Sequence, residues 1–221
     1  MHALFLMVSA LAACLYGAMV AKDREAGWQG AVAKTAAVSG LALYGALAGA
    51  PGWIVAGLVF GSAGDFALTR TGERALLAGM ACFGLGHLAY AAGFWMLGPD
   101  IVGIGAVRAT ALIALTVLIG STELWLAPHT GPFRAAVRLY GAGIGVMAAM
   151  AILLAPTPGA FVLQGGCALF ALSDVLLAIR LFRKPQPSRA RTLSVALWPL
   201  YWLGQAMILY GSLAQSGFPA G

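Results

Sequence analysis

Residues 75–96 read ALLAGMACFGLGHLAYAAGFWM, a run without a single Lys, Arg, Asp or Glu. A helix that crosses the hydrocarbon core of a membrane needs about 20 apolar residues, so this run is typical of a transmembrane helix. The rest of the chain has the same character, because 61% of its 221 residues are hydrophobic and only 9% are charged. Soluble domains are roughly 45–50% apolar and about 25% charged. The composition therefore excludes an ordinary soluble domain and leaves no room for a catalytic domain outside the membrane.

Charged residues, prolines and glycines divide the chain into apolar stretches. We predict eight helices, at residues 3–21, 32–50, 52–68, 75–96, 101–120, 136–154, 159–182 and 193–215. The first is expected to be a retained helix rather than a signal peptide, since no Lys or Arg precedes it and its apolar run continues past Cys14 to Val20. The expected fold is an all-α polytopic membrane protein, a bundle of eight transmembrane helices that forms one domain over residues 1–221.

The basic residues predict the orientation of this bundle. Twelve of the 13 Lys and Arg residues flank the first, third, fifth or seventh connection, and the exception is Arg108, inside the fifth stretch. Because positive charge collects in cytoplasmic loops, these connections are predicted to be cytoplasmic and both termini to lie on the opposite side. The excess of basic residues thus indicates membrane topology rather than a nucleic-acid partner. We expect an integral membrane protein of a bacterial inner membrane.

A few polar side chains lie at membrane depth, where each charge is costly and usually marks function or a specific pairing. Asp65 is five residues from Arg70 and Asp174 is nine from Arg183, so both are about 8–14 Å inside the cytoplasmic boundary. His87 and Gln205 lie deeper, and all four could line one pocket. The structural alternatives are an Asp65 that caps its helix near Arg70, an Asp174 that pairs with Arg180, and a His87 that only bridges helices.

Three further features of the predicted helices bear on the site. His87 and Tyr90 share one face of the fourth helix with Gly84 and Ala91, whose small size should let another helix approach closely. Gly57, Gly61 and Gly64 should likewise let the third helix pack closely. Lys34 begins the predicted second helix, where it either snorkels to the interface or binds a phosphate.

Several standard chemistries are missing. The sequence contains no G-x-S-x-G, P-loop, Rossmann or H-E-x-x-H motif. The three cysteines are isolated within apolar runs, and only one histidine lies at depth, too few ligands for a typical catalytic zinc site. We expect no metal and no cofactor.

A set of motifs resembles the YhhN family, which includes the lysoplasmalogenases of animals. The resemblance covers roughly residues 30–215 and eight spans. The matching pieces, in chain order, are Lys34, Gly64-Asp65-Phe66-Ala67-Leu68, residues 83–90 (FGLGHLAY) with Phe94, residues 169–178 (LFALSDVLLA), and Tyr201 with Gln205 and Ser212.

This resemblance implies an intramembrane lipid hydrolase that cleaves the vinyl ether bond of a lysoplasmalogen to a fatty aldehyde and a glycerophospho-base. Protonation of the vinyl ether's β-carbon gives an oxocarbenium ion that water captures, and a carboxylic acid with a second carboxylate suits this chemistry. The expected catalytic residues are Asp65 and Asp174, with His87 orienting water or a carboxylate. The expected contacts to the lysophospholipid are Lys34, Tyr90, Ser173, Tyr201 and Gln205.

Two other classes of function use the same residues. Paired acids at membrane depth also serve as proton relays in transporters, although the sequence shows no obvious inverted repeat. In a non-enzymatic protein that binds membrane lipids, the polar groups would hold helices together.

Overall fold

The computed structural model describes residues 2–24 and 27–215, and this part of the chain is helical throughout, without a β-strand. Eight α-helices follow one another in antiparallel order, as predicted. They are α1 (His2–Ala21), α2 (Trp28–Leu47), α3 (Gly52–Leu68), α4 (Glu73–Met96), α5 (Ala106–Trp125), α6 (Arg134–Ile152), α7 (Pro158–Phe182) and α8 (Pro187–Gln215). Single turns of 3₁₀ helix at Ala127–His129 and Gly131–Phe133 connect α5 to α6.

Seven of these helices are long and apolar enough to cross a membrane. The exception is α3, whose 17 residues rise only about 26 Å, somewhat less than the roughly 30 Å hydrocarbon core. The described chain is therefore an all-helical, multi-pass integral membrane protein.

The predicted bounds of the fifth helix are wrong by about five residues. Residues before Ala106 form a turn, in which the Asp100 carboxylate accepts a hydrogen bond from the Gly103 N–H at 2.8 Å and pairs with Arg108 at 3.0 Å. These two partners hold the pKa of Asp100 below its ordinary value. Arg108, predicted within the fifth span, is instead the third residue of α5 and lies at the membrane edge.

Two other helix starts also differ from the predictions. Helix α2 begins at Trp28 rather than at residue 32, so it starts one turn earlier and Lys34 lies within it. Helix α8 begins at Pro187 rather than at residue 193. Proline suits a first helical position, since its missing N–H would have no partner there. Part of the basic, proline-rich connection is therefore the first turn of α8.

The close packing of α7 on α8 depends on glycines. A Cβ atom on Gly204 would lie 2.9 Å from the Gly166 carbonyl oxygen, and one on Gly159 would lie 2.9 Å from the carbonyl oxygen of Gly211. Gly159 and Gly166 are seven residues apart on α7, and Gly204 and Gly211 are seven apart on α8. The two backbones therefore touch at two places, two turns apart. Small residues at such positions allow helices to associate in lipid by direct backbone contact.

Close packing at the glycines of α3 is confirmed, and aromatic rings of α4 fill the space. The Tyr90 ring lies over Gly57, and the Phe83 ring lies over Gly64. The similar prediction for Gly84 is wrong, because a Cβ there would meet only Tyr140, at 4.0 Å. Gly86 makes the close backbone approach instead. A Cβ atom added to Gly86 would lie 3.2 Å from the Gly57 carbonyl oxygen. The short helix α3 is thereby held within the bundle rather than at its lipid face.

Candidate active site

Asp65 lies one turn before the end of α3 and has two strong partners. Its Oδ1 is 3.0 Å from the Nζ of Lys34, and its Oδ2 accepts a hydrogen bond from the Tyr201 hydroxyl at 2.8 Å. The carboxylate is only 1% exposed and the lysine side chain 13%. Lys34 is the seventh residue of α2, so the prediction that it begins that helix is wrong. Its ammonium pairs with a buried carboxylate instead of reaching the interface.

Asp174, on α7, has a different environment. The Tyr140 hydroxyl of α6 donates to its Oδ1 at 3.1 Å, and the Nε2 of His87 lies 3.2 Å from its Oδ2. The contact between His87 and Asp174 is not a hydrogen bond. Among the described residues, neither ring nitrogen of His87 has a hydrogen-bond partner, and Asp174 Oδ2 has none either. The imidazole is fully buried and lies between the rings of Tyr140 and Phe170.

A chain of hydrogen bonds stands behind Asp65. The Gln205 amide donates to the Tyr201 hydroxyl at 3.3 Å, and the Gln205 carbonyl oxygen accepts from the Tyr90 hydroxyl. Tyr90 and Gln205 are fully buried. They therefore hold Tyr201 in place from α4 and α8, one step removed from the carboxylate.

The two aspartates open into one small polar cavity, of about 40 Å³, which we call the carboxylate cavity. By volume it admits a few water molecules. Its polar lining residues are Tyr16, Lys34, Asp65, Ser173, Asp174, Arg180, Ser194 and Tyr201. His87, Tyr90 and Gln205 do not line it. The Ser173 hydroxyl donates to the carbonyl oxygen of Phe170 at 2.7 Å, within its own helix.

A second, larger cavity lies beside it. This apolar groove has a volume of about 460 Å³ and is bordered by α4, α5, α6 and α7. Four residues line both spaces and form the boundary between them: Leu68, Phe83, Asp174 and Leu177. Asp174 is the carboxylate common to both.

The expected local partner of Asp65 is not the one observed. Arg70 does not pair with Asp65, and its guanidinium lies over the rings of Trp28 and Phe66. Arg180 lines the carboxylate cavity beside Asp174, whose carboxylate also contacts Tyr140 of α6 and His87 of α4. Both aspartates thus contact side chains of other helices, which local spacing does not reveal.

Tyr140 is the main residue that the sequence analysis missed. It lies two residues after Arg138 and contacts Asp174. A polar aromatic residue so close to a predicted cytoplasmic boundary is the sequence feature that could have indicated it. Tyr16 and Ser194, on α1 and α8, are further lining residues that carried no motif. Across the described chain, no three His, Cys, Asp or Glu side chains form a group that could hold a metal ion.

The carboxylate cavity lies toward one end of the bundle, where α1, α3, α5 and α7 end and the even-numbered helices begin, whereas His87, Tyr90 and Gln205 lie deeper. We call it the basic end, because eleven of the 13 Lys and Arg residues lie there, in the odd-numbered connections or the adjoining helix turns. The fold and the site define a multi-pass α-helical membrane protein with two buried carboxylates that share an internal cavity. The sequence profile of the YhhN family matches residues 25–212, and the chain belongs to this family. No curated protein and no solved structure matches the chain.

Proposed function

We propose that the protein is a lysoplasmalogenase-type hydrolase of the membrane, which cleaves the vinyl ether bond of a single-chain phospholipid. The observation that supports this most directly is the pair of aspartates on one cavity, each with different partners. Membership of the YhhN family supports it as well. General acid catalysis and cation stabilisation need two such carboxyl groups in distinct environments.

The partners of the two aspartates suggest a division of roles. Asp65 has an ammonium group and a hydroxyl donor on its two oxygens, and this arrangement stabilises a permanent carboxylate. Asp174 contacts a neutral hydroxyl and an imidazole, with one oxygen free of hydrogen bonds. We therefore assign proton donation to Asp174 together with His87, and stabilisation of the positive intermediate to Asp65.

The reaction follows from these roles. The proton of the Asp174 and His87 pair adds to the β-carbon of the vinyl ether, and the adjacent carbon becomes an oxocarbenium ion facing Asp65. Water attacks that carbon and returns a proton to the site, which gives a hemiacetal. The hemiacetal hydroxyl then loses its proton to the site as the aldehyde forms, the bond to the glycerol oxygen breaks, and that oxygen takes up a proton from the site. One water is consumed, and no step requires an oxidant or a reductant.

The polar part of the substrate belongs at the mouth of the carboxylate cavity. The cavity itself is too small for a phosphorylated headgroup, and Lys34 is already paired with Asp65. Arg180 lines the same cavity one and a half turns closer to the basic end than Asp174, so we assign the phosphate contact to Arg180. From the positive-inside rule we propose that this end is cytoplasmic and that the termini lie outside. We further propose that the membrane is a bacterial inner membrane.

One assay tests the proposal. Purified protein in detergent, given a vinyl-ether lysophospholipid without metal or nucleotide, is expected to release a fatty aldehyde, and a chelator should not change the rate. A transporter or a lipid-binding scaffold would release none. Aldehyde release that disappears with chelator would contradict the carboxylate mechanism, and no release from any vinyl-ether lysolipid would refute the enzyme assignment.

A further inference from the structure

We propose that the apolar groove binds the single hydrocarbon chain of the substrate, and that this chain reaches the groove sideways from the bilayer, past α5. The inference deepens the proposed function and rests on it. It concerns where the chain lies, how it arrives, and why the chain must be single.

Helix α5 is a loosely attached wall. None of its residues is buried, although every other α-helix has several buried side chains. Along its length it packs mainly against α6, and the groove separates it from α7. A helix with so few interior contacts is the element of the bundle that can move at the lowest cost.

The ends of α5 are tied while its middle is not. At the basic end, Arg138 pairs with Glu123 at 2.6 Å, and Arg183 of α7 donates to the Trp125 carbonyl oxygen at 2.9 Å. At the opposite end, Arg108 pairs with Asp100, which is joined to α6 by a hydrogen bond from its N–H to the Leu153 carbonyl oxygen at 2.7 Å. Between these ties α5 lines the groove with Leu115, Leu118, Ile119 and Thr122, and its side-chain hydrogen bonds there stay within the helix. The middle of α5 is therefore where the wall can separate and admit a chain from the bilayer.

The dimensions and chemistry of the groove fit a lipid chain. Its lining on α7 runs from Gln164 to Phe182, about 27 Å by helical rise and nearly the full roughly 30 Å core. Asp174 is the only Asp, Glu, Lys or Arg on the wall formed by the described residues. A long, narrow and almost wholly apolar space inside a membrane is complementary to one extended hydrocarbon chain.

The position of Asp174 fixes the register of that chain. The residue stands where the apolar groove meets the carboxylate cavity. In a vinyl-ether lysolipid, the bond that is cleaved lies where the hydrocarbon chain joins the polar glycerol. A chain in the groove with its headgroup toward Arg180 therefore places the vinyl ether beside Asp174.

Occupancy can be measured without turnover. A saturated alkyl-ether lysophospholipid, which has no vinyl ether to cleave, would carry a diazirine near the end of its chain and be photolysed with the protein in liposomes. Peptide mapping is expected to place the label on α5, α6 and α7, and excess single-chain lipid should compete better than two-chain lipid. Label confined to α1, α2 and α3, or equal competition by two-chain lipid, would overturn the inference whatever the outcome of the aldehyde assay.

Filling the groove tests the same point through specificity. Ala148 of α6 and Ala168 of α7 line the groove away from Asp174, whereas Ala114 is exposed on α5 and does not line it. Ala148→Trp and Ala168→Trp are each expected to lower the ratio of long-chain to short-chain turnover by about tenfold, on the scale of an overpacked site. Ala114→Trp should leave that ratio unchanged. An unchanged ratio in both groove variants, with wild-type turnover intact, would reject the groove while leaving the hydrolase assignment standing.

Discussion

The Nζ of Lys34 lies 3.0 Å from the Oδ1 of Asp65 and joins α2 to α3 inside the bundle. The pair is almost completely shielded from solvent, and the Tyr201 hydroxyl occupies the other carboxylate oxygen. In such a site each charge depends on the other, since a buried ion without its partner is strongly unfavourable. The pair therefore has a structural role that must be separated from its proposed chemical one.

A double substitution separates these roles. Lys34→Met leaves the Asp65 carboxylate buried without a cation, and we expect it to lower the free energy of unfolding by about 3–5 kcal/mol. Lys34→Met combined with Asp65→Asn removes both charges and should recover most of that loss, while turnover stays abolished. Thermal unfolding in detergent measures the first effect and aldehyde release the second. A single Lys34→Met variant as stable as the wild type would show that the pair is not buried as described.

The two aspartates can be tested individually. Asp65→Asn and Asp174→Asn keep side-chain size but cannot act as acid or carboxylate, so each is expected to reduce turnover by about 100-fold or more. Asp100→Asn is the matched control, because Asp100 lies in the turn before α5, away from both cavities. Near-normal turnover by either site variant, at equal amounts of folded protein, would remove that residue from the mechanism.

Tyr140 tests the assigned environment of Asp174. Tyr140→Phe removes the hydroxyl that donates to Asp174 Oδ1 and keeps the ring that packs on His87. Because a hydrogen bond to a charged group contributes about 1.5–3 kcal/mol, turnover should fall by at least roughly tenfold. The pH profile of turnover should also change. Tyr210→Phe is the control, because Tyr210 lies at a partly exposed position of α8 away from both cavities, and it should change neither the turnover nor its pH profile. Equal effects of the two variants would contradict the role of Tyr140.

The glycine contact between α7 and α8 predicts a stability effect. Gly204→Ala places a Cβ 2.9 Å from both the Gly166 carbonyl oxygen and the Phe170 nitrogen, so the helices must separate. We expect a destabilisation of about 1–3 kcal/mol, measured by thermal unfolding in detergent. Gly120→Ala is the control, because nothing lies within 4 Å of a Cβ on that residue of α5. Equal stability of the two variants would show that α7 and α8 do not approach this closely.

Cysteine labelling tests the predicted orientation. In a variant without the three native cysteines, Gln186→Cys at the basic end should react with a membrane-impermeant thiol reagent only after the cells are opened. Val102→Cys, on the highly exposed turn at the opposite end, should react in intact cells. The reverse pattern would invert the topology that the basic residues predict.

The sequence by itself determined the class of the fold. Hydropathy fixes the number and approximate position of the helices, because a span in lipid must be a continuous apolar run that satisfies its own backbone hydrogen bonds. It also identified Asp65 and Asp174, since a carboxyl group within such a run is rare enough to stand out without any knowledge of its neighbours. The alternating basic residues also predict an orientation, because each of them is visible one loop at a time.

Only the tertiary structure decided which helices meet. Lys34 on α2 contacts Asp65 on α3, and Tyr140 on α6 contacts Asp174 on α7. Because each contact joins two different helices, no local spacing encodes it. The two cavities depend on the same information, because a gap between helices is a property of their packing. In lipid there is little hydrophobic force between helices, and small residues and polar contacts select the partners. Gly166 and Gly204 are each an ordinary glycine in the sequence, and only their meeting shows that they bring α7 against α8.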